Sequence, residues 1–188
     1  MYVKVPRELC LCETGKAPIK TGWIETDEGQ PGKLNVHARW VAKEYKTHAR
    51  PELYASTPPL EALKVVLSEI ATGEREGKAL ALIDVRRAYF YAPARRNVFV
   101  ELPPEDYQPG DEHMCGMLRY SLYGTRDAAQ NWEEELASTL SGLGLTRGSA
   151  CPCVWRGRIK GEDIVATVHG DDITIGGQRS AVESLSSR

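Results

Sequence analysis

The stretch VATVHGDDITIGG, Val165–Gly177, constrains the fold of this chain more than any other. Two β-branched runs, ending at Val168 and resuming at Ile173, flank His169-Gly170-Asp171-Asp172. Glycine at the first central position of a two-residue loop suits a type II′ turn. Gly170-Asp171 therefore predicts a hairpin, with Asp171 at its tip and Asp172 opening the return strand. Two carboxylates this close repel one another. A divalent cation removes that penalty, and Mg²⁺ prefers hard oxygen ligands on a rigid support, with substrate phosphates completing its shell. Asp-Asp is also ordinary turn chemistry, and for the hairpin alone that reading outweighs the metal reading.

A third acid sits in the same posture. Asp84 closes the apolar run Leu80-Ala81-Leu82-Ile83, which reads as a buried strand. If that strand lies beside the hairpin, Asp84, Asp171 and Asp172 converge at one edge of a sheet. Two metal ions about 4 Å apart could then be clamped there, as in-line phosphoryl transfer requires.

The rest of the chain alternates strands and helices. Residues 1–32 are punctuated by glycine and proline, and only Thr21–Glu25 hints at a strand. Between Lys33 and Lys46, Val36, Ala38, Trp40 and Ala42 alternate with His37, Arg39, Val41 and Lys43, which predicts a strand with a basic face. Thr57 is a natural N-cap, with Pro58 at the first helical position. Leu60, Leu63, Val66, Leu67 and Ile70 then share one helical face, and Gly73 ends the helix. Ala88–Tyr91 suits a helical turn. Val98–Leu102 suits a strand stopped by Pro103-Pro104, and Leu118–Tyr123 a short strand or turn. Arg126–Leu140 predicts a second helix with Ala129, Trp132, Leu136 and Leu140 on its stripe, ended by Gly142 or Gly144; Val154-Trp155 predicts a strand. This order reads as α+β, an antiparallel sheet with helices on one face.

Composition narrows the setting. With 41% hydrophobic and 27% charged residues the chain is globular, and a net charge of −2 leaves any electrostatic footprint local. No apolar run spans a bilayer, and the first residues lack the apolar core of a signal peptide, so the expected location is intracellular, cytoplasm or nucleus. Five cysteines are an odd number for a disulfide framework. Cys10-Leu-Cys12 and Cys151-Pro-Cys153 have the wrong spacing for zinc and read as structural thiols.

The motifs, taken in order, resemble the reverse transcriptase domain of Ty1/copia-type LTR retrotransposons. HARWVAKEY (37–45) is similar to the family's KARLVAKG, and Thr57-Pro58 stands where the family has Ser-Pro before a helix. LIDVRRAYFYAP (82–93) is similar to LDVKTAFLNG, and VFVELPPEDY (98–107) to VYMEQPPGF. SLYGTRDAAQNW (121–132) is similar to SLYGLKQAPRAW, SACPCVW (149–155) to KADPCLF, and VHGDDI (168–173) to YVDDL. The matches span His37 to Gly177, three quarters of the chain.

The resemblance implies a polymerase palm-like sheet with partial fingers and no thumb. It divides the chain into a weakly organised segment (1–32), a fingers-like part (33–78), a palm-like part with the catalytic hairpin (79–180) and a tail (181–188). It implies RNA-directed DNA polymerase activity, with Asp84, Asp171 and Asp172 as catalytic metal ligands and the Val85 carbonyl joining them. Two Mg²⁺ ions, with Mn²⁺ as substitute, are the implied cofactors. Tyr89 takes the place of the aromatic ring under the deoxynucleotide sugar; its alternative is a plain packing role. Arg39, Lys43 and Arg126 are candidates for triphosphate or template phosphates, and their alternative is a solvated basic surface. Implied partners are an RNA or DNA template with its primer, deoxynucleoside triphosphates, and the thumb and RNase H regions of a larger polyprotein, with no membrane.

The departures from the family pattern are local. His169-Gly170 replaces Tyr-Val or Tyr-Ala, Arg86-Arg87 replaces Lys-Thr, and Asp127 replaces a Gln, where an acid repels phosphate unless it points away. A non-catalytic palm-like module that binds nucleic acid or a partner chain is the rival reading. A metal-dependent nuclease is a third, opposed by Tyr89 and the motif order.

Overall fold

A computed structural model describes residues 1–45, 59–72 and 77–186. It is a mixed α/β structure with four α-helices and three antiparallel sheets among the described residues. The chain divides into two compact units, each assembled from two stretches: Met1–Leu53 with Tyr89–Asn131, and Tyr54–Ala88 with Trp132–Arg188.

In the first unit, β1 (Tyr2–Pro6) leads into α1 (Arg7–Thr14), and β2 (Thr21–Asp27) pairs with β3 (Val36–Ala42) as a two-stranded ribbon. Residues 1–32 thus hold more regular structure than their glycines and prolines suggest. The alternation predicted for β3 holds only at its end: Val36 and Ala38 are exposed, whereas Trp40 and Ala42 are buried. They join Val98, Val100, Leu118 and Leu122 in one apolar cluster.

The second unit carries the hairpin. Its five-stranded sheet has the order β4 (Lys78–Asp84), β10 (Asp172–Gln178), β9 (Glu162–His169), β8 (Val154–Ile159) and β7 (Leu145–Arg147). Helix α2 (Leu60–Ala71) packs on it, close enough that a Cβ at Gly176 would collide with the Ile70 side chain. Gly176, Thr174 and Asp172 share a face by the alternation of a strand, so α2 covers part of the acid-bearing face. On the opposite face Ile173 and Ile175 are also buried. The sheet is therefore covered on both faces, not on one as the sequence suggested.

Further differences have simple causes. Strand β4 was expected to be fully buried, yet Leu80 is 43% and Leu82 76% exposed, because β4 is an edge strand with an open side. Of the strand or turn expected at Leu118–Tyr123, the strand ends where it should begin, since β6 is Met114–Leu118, pairing with β1 and with β5 (Phe99–Val100). The segment closes in a turn whose Thr125 N–H donates to the Leu122 carbonyl. Helix α3 runs Ala128–Gly142, and Ala88–Tyr91 forms the expected single helical turn. Residues 179–186, expected within a palm end and tail, form α4 (Arg179–Ser186), which buries Ala181, Val182 and Leu185. The predicted cap at Thr57-Pro58 and the stop at Gly73 lie outside the described residues.

Candidate active site

The hairpin forms as its sequence predicts. His169 pairs with Asp172 across a two-residue turn, and Gly170 has φ 64 while Asp171 is not in the left-handed region, as a type II′ turn requires. The indole N–H of Trp132, on α3, donates to the Gly170 carbonyl at 2.7 Å and ties the turn to the helix.

Register settles which acids meet. Asp84 at the end of β4 is the cross-strand partner of Asp172. Val85 N–H donates to the Asp171 carbonyl at 3.1 Å, so Asp84 and Asp172 form a pair without mutual backbone hydrogen bonds. Cα atoms in such pairs stand about 4.5 Å apart, the closer of the two antiparallel spacings, with both side chains on one face. Asp84 and Asp172 are exposed, Asp171 is half-buried in the turn, and no ion pair neutralises any of the three among the described residues.

The three acids lie at one end of the sheet, but the expected convergence of all three is not present: only Asp84 and Asp172 are cross-strand partners. No three His, Cys, Asp or Glu side chains are grouped tightly enough to hold a metal ion among the described residues. Asp84 and Asp172 form the close pair, and Asp171 enters from the turn. Two adjacent, uncompensated carboxylates still fit a hard cation, since Mg²⁺ is commonly held by one or two carboxylates and completes its shell with water and phosphate. A groove of about 550 Å³ opens beside them, with Leu60, Leu63, Leu82 and Ile173 in its walls and Thr167 and His169 among its polar lining.

The other predicted residues lie in the first unit. Tyr89 stands on its helical turn with its ring 4.5 Å from that of Tyr123. Arg39 is exposed on the outward face of β3, and Lys43 is exposed just past its end. The backbone N–H of Arg126 donates to Glu44 Oε2 at 2.8 Å.

Asp127 resolves differently from its sequence expectation. It is 5% exposed and turned inward, where its carboxylate accepts from Arg96 at 2.9 Å and from Asn131 at 3.2 Å. Arg96 also donates to Glu44 at 2.6 Å, so one guanidinium serves two acids. Burial works against its charge, but the hydrogen bonds it donates to Asp127 and Glu44 outweigh that and raise its pKa above the ordinary arginine value. Sequence reasoning missed Arg96 and Glu44. Glu44 and Asp127 lie in separate motifs and Arg96 in none, and no periodicity links them.

Three comparisons bear on this arrangement. Residues 8–185 match the family model described as reverse transcriptase (RNA-dependent DNA polymerase). The retrovirus-related Pol polyprotein from transposon TNT 1-94 of Nicotiana tabacum is 24% identical over 170 residues, which cover 87% of this chain and 13% of that protein. No solved structure matches the chain.

Proposed function

The chain belongs to the reverse transcriptase (RNA-dependent DNA polymerase) family of Ty1/copia-type retrotransposons, and from that premise we propose that it forms the palm and part of the fingers of such a polymerase. Residues 79–180 would be the palm-like part and 33–78 the fingers-like part, within a longer polyprotein. The reaction is nucleotidyl transfer: a primer 3′-hydroxyl attacks the α-phosphorus of a deoxynucleoside triphosphate, a P–O bond forms, and pyrophosphate leaves.

One observation carries this reading: Asp84 and Asp172 stand side by side, exposed and without a counter-charge among the described residues. A like-charged pair costs stability wherever nothing binds it. Asp84, Asp172 and the neighbouring Asp171 would hold Mg²⁺, with the Val85 carbonyl beside them. A bound divalent ion supplies charge neutralisation for the attacking and leaving oxygens. The protein supplies placement, because both strands are fixed by ladder pairing and the turn by Trp132. Tyr89 would pack under the sugar, where a ring leaves no room for a 2′-hydroxyl. Arg39, Lys43 and Arg126 would attract template or triphosphate oxygens. Asp127 does not oppose them, since its charge is taken up by Arg96.

The test is primer extension on an RNA template by a polyprotein fragment containing this chain. Asp84→Asn and Asp172→Asn should each lower the rate by at least about a hundredfold. Wild-type extension by either variant would reject the assignment. In the 188-residue chain, Mg²⁺ should raise the unfolding temperature, and Asp84→Asn should remove that rise. The lack of a tight three-acid cluster favours the rival, a non-catalytic palm-like module that binds nucleic acid. Nucleic-acid binding by the wild-type fragment with no extension at any Mg²⁺ or Mn²⁺ concentration would select it.

A further inference from the structure

The five-stranded sheet has two edges, and they are built differently. Strand β7 has three residues, and its Arg147 pairs with Glu133. A short, charged strand is a protected edge. Strand β4 has seven residues, KALALID, with no proline and no charge between its ends. It ends the strand order, no backbone hydrogen bond from another described segment reaches its open side, and Leu82 and Leu80 stay 76% and 43% exposed on the acid-bearing face.

The register also says which backbone groups are open. Asp84, Leu82, Leu80 and Lys78 are in the pairs that do not exchange hydrogen bonds with β10, so their N–H and C=O groups point outward. Read from Ala81 in both directions, the strand is complementary to itself when run antiparallel. Leu80 faces Leu82, Ala79 faces Ile83, and Lys78 faces Asp84. The even-numbered residues that would face each other are also the ones with outward backbone groups, so chemistry and hydrogen-bond phase agree.

We propose that β4 is a self-association edge, on which a second copy of this chain adds its own β4 antiparallel about a twofold axis at Ala81. The two five-stranded sheets become one continuous sheet. Each leucine pair on the acid-bearing face gains an apolar neighbour. Lys78, which donates to the Glu69 and Thr72 carbonyls but meets no carboxylate among the described residues, lies opposite Asp84 of the second copy. An interface of this kind is isologous and closes at two copies. It does not depend on polymerase activity.

Sedimentation velocity of the 188-residue chain, from micromolar to hundred-micromolar concentration, tests it. The expected result is a reversible dimer. Leu82→Pro should weaken it by tenfold or more, because this N–H faces outward and its loss leaves the β4–β10 ladder intact. Leu82→Lys places like charges near the axis and should do the same. Unchanged far-UV circular dichroism establishes that either variant is folded. Ala81→Cys puts two thiols face to face on the axis, so oxidation should give a disulfide dimer beyond any that the exposed Cys12 gives in the wild type. A wild-type monomer throughout the range overturns the proposal. A dimer that Leu82→Pro and Leu82→Lys leave unaltered, or that Ala81→Cys fails to trap, also overturns it.

Discussion

Glu44 and Asp127 share one guanidinium, whereas Asp84 and Asp172 share none among the described residues. The first pair lies in the unit of β1–β3, β5 and β6, and its side chains are 17% and 7% exposed. There the charges are spent on architecture: Arg96 joins the end of β3 to the segment that opens α3. The second pair lies in the hairpin unit, exposed and adjacent. Its architecture comes from neutral contacts instead, the strand ladder and the Trp132–Gly170 bond. The contrast gives a physical criterion for separating structural acids from working ones. Structural acids are buried against a cation supplied by the chain. Working acids are left in repulsion for something else to relieve.

The sharpest way to break this comparison is to remove the shared cation. Arg96→Met leaves two largely buried carboxylates facing each other, a loss of several kcal/mol for a fully buried site. The Arg96 side chain is 32% exposed, so solvent reduces the expected loss to about 2–3 kcal/mol. Urea unfolding measures it. Adding Asp127→Asn to Arg96→Met should recover part of the loss, since one of the stranded charges is gone. Full stability in Arg96→Met would mean that this network is as solvated as the hairpin pair.

The second prediction concerns the neutral side. Trp132→Phe deletes the indole donor to Gly170 and should cost about 1 kcal/mol for the bond, with a further packing loss. Because no charge is involved, urea midpoints at low and high salt should shift by the same amount. A loss that shrinks with salt would mean that the turn is held electrostatically after all.

These two sites were not equally legible in the sequence. The hairpin could be read because everything that makes it is local: two β-branched runs, a glycine at the one position needing a left-handed φ, and acids at fixed offsets. The pairing of Asp84 with Asp172 follows once the run before Asp84 is taken as a neighbouring strand. That β4 would be an edge with open leucines could not be read, since an apolar run has the same letters whether one side of its sheet is covered or not. Nor could Arg96 and Glu44. Their partnership with Asp127 joins residues 31 and 52 positions apart, through a turn geometry that no hydrophobic period encodes. Helix α4 was lost for a related reason. Its eight residues follow the last strand directly, and its apolar stripe of Ala181, Val182 and Leu185 is short.

The smallest effect is the most diagnostic, because its sign is unusual. Asp172→Asn keeps the shape of the side chain and removes one of two like charges at the close cross-strand position. Like charges placed opposite each other destabilise a strand pair by fractions of a kcal/mol. Without divalent ions, the variant should therefore unfold about 1–2 °C higher than the wild type at low salt. The gain should fade as salt screens the repulsion. With Mg²⁺ present the order should reverse, because only the wild type retains both carboxylates to bind it. A loss of stability without metal would give Asp172 a favourable structural partner, and place it with Glu44 and Asp127 as architecture. A gain without metal and a loss with it would tie the instability of the pair to cation binding.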